Sequence, residues 1–235
     1  MNKNIKNLEK DVVEGFHRVE KDGKWGFVDK KGKTLVECKY DAVFNFNQGV
    51  ARVLKDGKYG FINKYGMEIT PIQYDLVFDF YDNLAEVLKG SKSGFIDKAG
   101  NEVVPCIYEW ADHFVDGLAI VKKDGKVGYI NTYGEIEIPL VYDEVKYFHD
   151  GFAKVKQGGK WGYIDIEGQV VVPCEYDSIG DFEFGFAKAT KDKKQGYVTV
   201  KGKKIFTPLR KENVRLMILV YRRREKRKEE KTAKN

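Results

Sequence analysis

Lys24-Trp25-Gly26-Phe27-Val28-Asp29-Lys30-Lys31-Gly32 returns further along the chain as Lys160-Trp161-Gly162-Tyr163-Ile164-Asp165-Ile166-Glu167-Gly168, and its two glycines mark a step kept throughout the sequence. Gly26, Gly60, Gly94, Gly128, Gly162 and Gly196 stand 34 residues apart, as do Gly32, Gly66, Gly100, Gly134, Gly168 and Gly202. Other columns hold the same step: Phe46, Phe80, Phe114, Phe148 and Phe182; Ala51, Ala85, Ala119, Ala153 and Ala187; Tyr40, Tyr74, Tyr108, Tyr142 and Tyr176; Pro71, Pro105, Pro139 and Pro173. The period never slips, so the 235 residues hold about six copies of one unit.

Helical repeats also use a 34-residue period, so the period alone leaves the class open. Each copy, however, carries two or more glycines at turn positions, and four carry a proline in mid-unit. No window is left in which a 3.6-residue apolar pattern could run for three turns, and the unit must be β. Lys55-Asp56-Gly57-Lys58 and Lys123-Asp124-Gly125-Lys126 read as tight hairpins, which need positive φ at both central residues. A second reversal recurs at residues 29–32, 63–66, 97–100, 131–134 and 165–168. There an Asx side chain can bond its own backbone two residues on, while Gly takes the left-handed conformation.

Between the turns lie short β-type runs, in the second copy at residues 49–53, 59–63 and 68–71, followed by a trailing segment at 74–80. A meander of three strands cannot bury a core alone, so neighbouring copies must stack. The fold expected is all-β: about six tandem antiparallel meanders in an open curved or superhelical array, with a closed six-bladed, propeller-like ring as the alternative. Both ends are irregular. His17 stands in the Ala slot of the first copy and Glu37 in its Pro slot, while Thr207-Pro208 shifts the last proline by one and the Tyr-Asp pair is missing there. Capped ends favour the open array. The boundaries read as an N-terminal cap at 1–12, repeats at 13–46, 47–80, 81–114, 115–148, 149–182 and 183–208, a capping strand or helix at 209–221, and a basic tail at 222–235.

The Trp-Gly pair, the Asx-x-x-Gly turn, the proline and the Tyr-Asp pair occur in the order of the bacterial WG, or KWG, repeat family, which residues 13–208 resemble. Four copies depart at the Trp position, with Tyr59, Ser93, Val127 and Gln195, and are expected to pack less tightly there. The resemblance implies a β-rich array that serves protein interaction or structure, and it implies no catalytic residues. Trp25, Gly26, Gly60, Gly94, Gly128, Trp161, Gly162 and Gly196 are the structural signature positions.

A residue needed six times is needed for building, so function belongs where the copies differ. The glycines serve positive φ or close approach, the Phe46 column serves the core, and Tyr40 with Asp41 serves a corner hydrogen bond. Cys38, Cys106 and Cys174 share a slot with Ile72 and Leu140, so they are expected to be buried, reduced and apolar in role. No closely spaced ligand pairs point to zinc. His17, His113 and His149 are isolated, and no nucleophile elbow, phosphate loop or His-Glu-x-x-His segment is present. No catalytic site, metal or cofactor is expected.

Charge is unevenly spread. Residues 209–235 carry 11 Lys and Arg against 4 Glu, leaving the remaining residues with 31 basic and 32 acidic side chains. The basic balance is therefore a property of the tail, where Arg222, Arg223, Arg224, Lys226, Arg227 and Lys228 are candidate electrostatic contacts to nucleic acid or an anionic membrane. No run of 18 apolar residues suggests a transmembrane span, and residues 1–10 lack the apolar core of a secretory signal, so a cytoplasmic protein is expected. The leading expectation is a non-catalytic scaffold that binds a protein partner along several copies.

Overall fold

In the computed structural model, residues 15–205 are described, and all regular structure among them is β-strand. Six antiparallel sheets follow one another along the chain, and none closes on itself. The first holds β1 (Phe16–Lys21), β2 (Lys24–Asp29) and β3 (Thr34–Tyr40). The second holds β4 (Ala42–Val43), β5 (Val50–Lys55) and β6 (Lys58–Asn63). Four strands make the third: β7 (Leu76–Val77), β8 (Leu84–Lys89), β9 (Lys92–Asp97) and β10 (Glu102–Tyr108). β11 (Trp110–Ala111), β12 (Leu118–Lys123), β13 (Lys126–Asn131) and β14 (Ile136–Tyr142) make the fourth. The fifth has β15 (Glu144–Val145), β16 (Phe152–Gln157), β17 (Lys160–Asp165) and β18 (Val170–Tyr176), and the sixth β19 (Ser178–Ile179), β20 (Phe186–Lys191), β21 (Lys194–Thr199) and β22 (Lys204–Ile205). The chain divides into two compact units, residues 1–140 and 141–235.

The central hairpin of every sheet follows from its turn. Asp56 and Gly57 have φ of 51° and 75°, and Asp124 and Gly125 have 51° and 73°, the left-handed pair that a two-residue turn between right-twisted strands requires. Asp29 Oδ1 accepts the backbone N–H groups of Lys31 and Lys33 at 2.8 and 2.9 Å, and Gly32 closes that reversal at φ 78°. A third left-handed pair was not singled out in the sequence. Gln48-Gly49, Asp82-Asn83, Asp116-Gly117, Asp150-Gly151 and Phe184-Gly185 turn the chain from the trailing segment into the next long strand.

That third turn explains how the copies are tied together. The trailing segment of one copy supplies the short outer strand of the next sheet: Leu76 pairs with Leu88, Trp110 with Lys122, and Ser178 with Thr190. The two glycine columns answer different needs. Gly32, Gly66, Gly100, Gly134, Gly168 and Gly202 all have positive φ, whereas the Gly26 column does not. A Cβ on Gly94 would stand 2.5 Å from the carbonyl oxygen of Val104, so that column serves close passage of the third strand.

The second copy departs from the expected meander. Residues 68–71 do not form a strand there, and only isolated bridges join Ile62 to Glu68 and Tyr59 to Tyr74. Thr70 is the cause. It stands where the other copies have Val36, Val104, Ile138 and Val172, it is buried, and its Oγ1 accepts the Phe61 N–H at 3.1 Å, replacing a ladder bond.

In the first unit, three apolar clusters fill the spaces between successive sheets. One centres on Phe27, Phe46 and Val53, the next on Phe61, Phe80 and Val87, and the third on Phe95, Phe114 and Val121. The rings pair across each space at centroid distances of 4.7, 5.1 and 4.9 Å. Each fully buried aromatic contributes roughly 2–3 kcal/mol through removal from water. In the second unit, Tyr163, Tyr176 and Phe182 pack with Val172 and Val198 in the same manner.

Candidate functional site

The signature residues build the fold. Trp25 and Trp161 are half-buried on β2 and β17, and the six glycines of their column lie buried on the second long strand of each sheet. Looser packing was expected where the Trp is replaced. Ser93 and Val127 are instead buried, because their short side chains stay within the sheet packing, whereas Gln195 is exposed. Ser93 Oγ donates to Glu86 Oε1 at 2.7 Å.

The recurrent acids bridge successive copies. Asp41 pairs with Lys24 of its own copy and accepts the Asp56 N–H of the next hairpin at 2.6 Å. Asp75 does the same with Lys58 and the Gly90 N–H at 2.7 Å, and Asp177 with Lys160 and the Asp192 N–H at 2.9 Å. The lysine and the turn amide hold these carboxyls below the usual carboxylate range.

Cys38, Cys106 and Cys174 are half-buried rather than fully buried, because each Sγ turns to a carbonyl oxygen of the neighbouring strand, those of Val19, Val87 and Val155 at 3.6–3.7 Å. Burial pushes all three thiols up, which keeps them protonated and poorly nucleophilic. Among the described residues no group of three or more His, Cys, Asp and Glu side chains is placed to hold a metal ion, and no helix is long and apolar enough to cross a membrane. The six basic tail residues, Arg222 to Lys228, lie outside the described residues.

One cavity gathers side chains that differ from copy to copy. It opens on the third sheet with a volume of about 310 Å³, lined by Phe78, Asp79, Tyr81, Leu84, Glu86, Phe95, Asp112 and His113. Leu84 and Phe95 form an apolar floor, and Phe78 and Tyr81 are exposed walls. Tyr81 and His113 approach ring to ring at 5.5 Å. Asp112 Oδ1 lies 2.8 Å from His113 Nδ1, and Asp79 is paired with Arg52 at 3.1 Å. Glu86, from the middle of β8, is half-buried; burial raises its carboxyl pKa and the nearby Asp112 charge adds to the effect, opposed by the Ser93 hydroxyl. Sequence reading had set His113 aside as isolated. The missed signal was the column Arg18, Arg52, Glu86, Ile120, Lys154, Lys188, in which a single acid interrupts four bases.

Exposed apolar side chains lie close by in sequence and on the same sheets. Leu76 on β7, Ile107 on β10 and Trp110 on β11 are each exposed. Their columns read Ala42, Leu76, Trp110, Glu144, Ser178 and Lys39, Gln73, Ile107, Val141, Glu175, so none of the three is a shared building residue.

No curated protein matches this sequence. Similar solved structures include Kluyveromyces lactis Hsv2, at 11% identity over 84% of this chain and 74% of that one, with a TM-score of 0.35. A eukaryotic initiation factor matches at 11% identity over 88% and 66%, TM-score 0.39, and the AfRom2 CNH domain at 7% identity over 86% and 83%, TM-score 0.35. Likeness at this level identifies neither a ligand nor an activity. The model of the WG containing repeat matches five times, at residues 25–59, 59–92, 94–126, 128–161 and 161–194. Since those segments take in most of the sequence, the chain belongs to the WG containing repeat family.

Proposed function

We propose that this chain is a non-catalytic binding module that docks a protein partner across several copies. The observation that carries the reading is the separation of the columns by burial. Shared residues such as Phe46, Tyr74, Ala85 and Phe114 are buried, whereas large apolar residues found in one copy only, Trp110 and Tyr81 foremost, are exposed. Exposed aromatic and aliphatic side chains beside charged groups have the composition of interaction surfaces, where aromatic anchors supply most of the energy. A surface built copy by copy also grows by addition, so a partner gains contacts from each copy it spans.

Pull-down from cell extract with copies removed one at a time tests this. Retention of the partner should fall stepwise as copies are lost. Full retention by a single copy would overturn the reading.

A further inference from the structure

Five of the six sheets carry a short outer strand on the edge of their first long strand. Ala42 stands opposite Leu54, Leu76 opposite Leu88, Trp110 opposite Lys122, Glu144 opposite Lys156 and Ser178 opposite Thr190, so the register is the same each time. In the first sheet, among the described residues, no strand lies outside β1. The Asp41 N–H donates to Leu54 O at 2.8 Å and the Phe44 N–H to Arg52 O at 3.0 Å, so the backbone groups of Leu54 and Arg52 face the outer strand. One copy earlier the residues facing that edge are Glu20 and Arg18.

Two further observations bear on what the edge receives. Every hairpin after the first has its turn amide capped by an acid from the segment before it. Asp56 N–H donates to Asp41, Gly90 to Asp75, Gly125 to Glu109, Gly159 to Asp143 and Asp192 to Asp177, at 2.6–3.3 Å. The first hairpin has the same left-handed residue, Asp22 at φ 53°, and among the described residues no side chain accepts its N–H. The chain also enters β1 through Gly15 at φ 89°. Gly49, Gly117, Gly151 and Gly185 adopt that conformation, at 78–82°, where a trailing segment turns back into its long strand.

We infer that residues 7–13 of this chain fill the outer edge of the first sheet, with Leu8 opposite Glu20, the Asn7 side chain accepting the Asp22 N–H, and Val12 in the place that Phe46 takes one copy later. The spacing supports this occupant over a foreign strand. Asn7 precedes Gly15 by the same eight residues by which Asp41 precedes Gly49, and Gly15 already turns the chain onto that edge. Asn can replace Asp at a turn amide, because its side-chain oxygen accepts in the same way. Glu9 is the weak point. It stands where Val43, Val77, Ala111, Val145 and Ile179 are buried, and a carboxylate is costly to desolvate there. The contact is therefore weaker than its five counterparts and the most readily displaced of them. With it in place none of the first long strands offers an open edge, so a partner is met by side chains rather than by strand addition there. The inference does not rest on the protein-docking reading; it narrows the way in which docking takes place.

The test is backbone amide exchange of the full chain, read residue by residue by NMR. Glu20 should be protected as Leu54 is. Lys10→Pro removes the N–H equivalent to that of Phe44 and should speed exchange at Glu20 by about tenfold or more, leaving Leu54 unchanged. Asn7→Ala should speed the Asp22 amide, and Glu9→Val should slow Glu20 by about tenfold. A Glu20 amide that exchanges as an open one in the unaltered chain, or that stays protected in a folded Lys10→Pro chain, would overturn the inference. So would protection that rises with protein concentration, since a second copy would then occupy the edge. Should Lys10→Pro fail to fold, Asn7→Ala and Glu9→Val decide, and no response to either would overturn it.

Discussion

Replacing Gly94 with alanine should damage the third sheet, whereas the same replacement at Gly60, in the same column of the preceding copy, should be nearly silent. A Cβ on Gly94 would lie 2.5 Å from Val104 O, 2.7 Å from Cys106 N and 2.8 Å from Pro105 C, all of them backbone atoms of β10. Since these cannot rotate away, β10 must retreat by most of an ångström to reach ordinary contact, straining its pairing with β9. Overpacking of this kind costs about 1–3 kcal/mol, and a weakened buried ladder bond adds about 1 kcal/mol. At Gly60 the nearest atoms are Ile72 Cγ1 at 3.0 Å, Ile72 Cα at 3.1 Å and Pro71 O at 3.3 Å, because Thr70 has already displaced that segment from the sheet. A few tenths of an ångström suffice there, and the loss of unfolded-state freedom returns about 0.4–1 kcal/mol. The expected net loss is thus about 3 kcal/mol for Gly94→Ala and under about 1 kcal/mol for Gly60→Ala. For a chain of this length that is about 6–12 °C in melting temperature against 2–4 °C or less. Stacked copies can open in sections, so amide exchange should be read sheet by sheet, with the third sheet losing protection first. Equal losses at the two positions, or none at either, would refute close backbone passage as the reason for the Trp-Gly glycine.

Two further outcomes follow from single contacts. Glu175 is held down to about 2 by Lys191 at 2.7 Å and Lys204 at 2.5 Å, so its folded pKa lies below its unfolded value. Its contribution is present above the unfolded carboxylate range, about 4.3, and disappears as pH falls toward the folded value. Glu175→Gln should therefore lower the unfolding free energy measured in urea at neutral pH by on the order of 1 kcal/mol, with a gap that narrows as the pH drops; a gap independent of pH would refute the ion pairs as its source. Thr70→Val restores the aliphatic residue of the other copies but takes the acceptor from the buried Phe61 N–H. A cost of about 1–3 kcal/mol and faster exchange at the Phe61 amide are expected, and unchanged exchange would show that the backbone itself re-forms the ladder.

The period, the strand class and two of the three recurring turns were legible because each is imposed on every copy by a residue type with one physical use. Gly32 and its equivalents must be left-handed, and Asp56-Gly57 must turn two strands that twist to the right. Averaging over copies hides departures from the pattern. Thr70 read as one more β-former, yet a hydroxyl at a buried position competes for a backbone donor and removes a strand from one copy. The turn at Gln48-Gly49 was missed because its first residue is not fixed, running Gln48, Asp82, Asp116, Asp150 and Phe184, while its left-handed backbone is. Glu86 was legible in principle as the lone acid among bases. What the sequence could not supply was the fact that residues 27 apart face one another across neighbouring sheets.

That spacing changes how a substitution acts in this chain. Arg52 and Lys154, in the middle of the first long strand of their sheets, meet the segment leading into the following sheet, so each charge is matched by an acid 27 residues on in its own copy. Arg52 lies 3.1 Å from Asp79 and Lys154 2.8 Å from Asp181, whereas the same slot in the third sheet holds the half-buried Glu86, whose Oε1 accepts from the Ser93 hydroxyl at 2.7 Å. A copy therefore cannot change this position alone without leaving an uncompensated charge half-buried between sheets, which is costly. An array that conserves its buried columns can in this way vary the polar residues that flank them, while the rings of Phe95 and Phe114 stay packed at 4.9 Å.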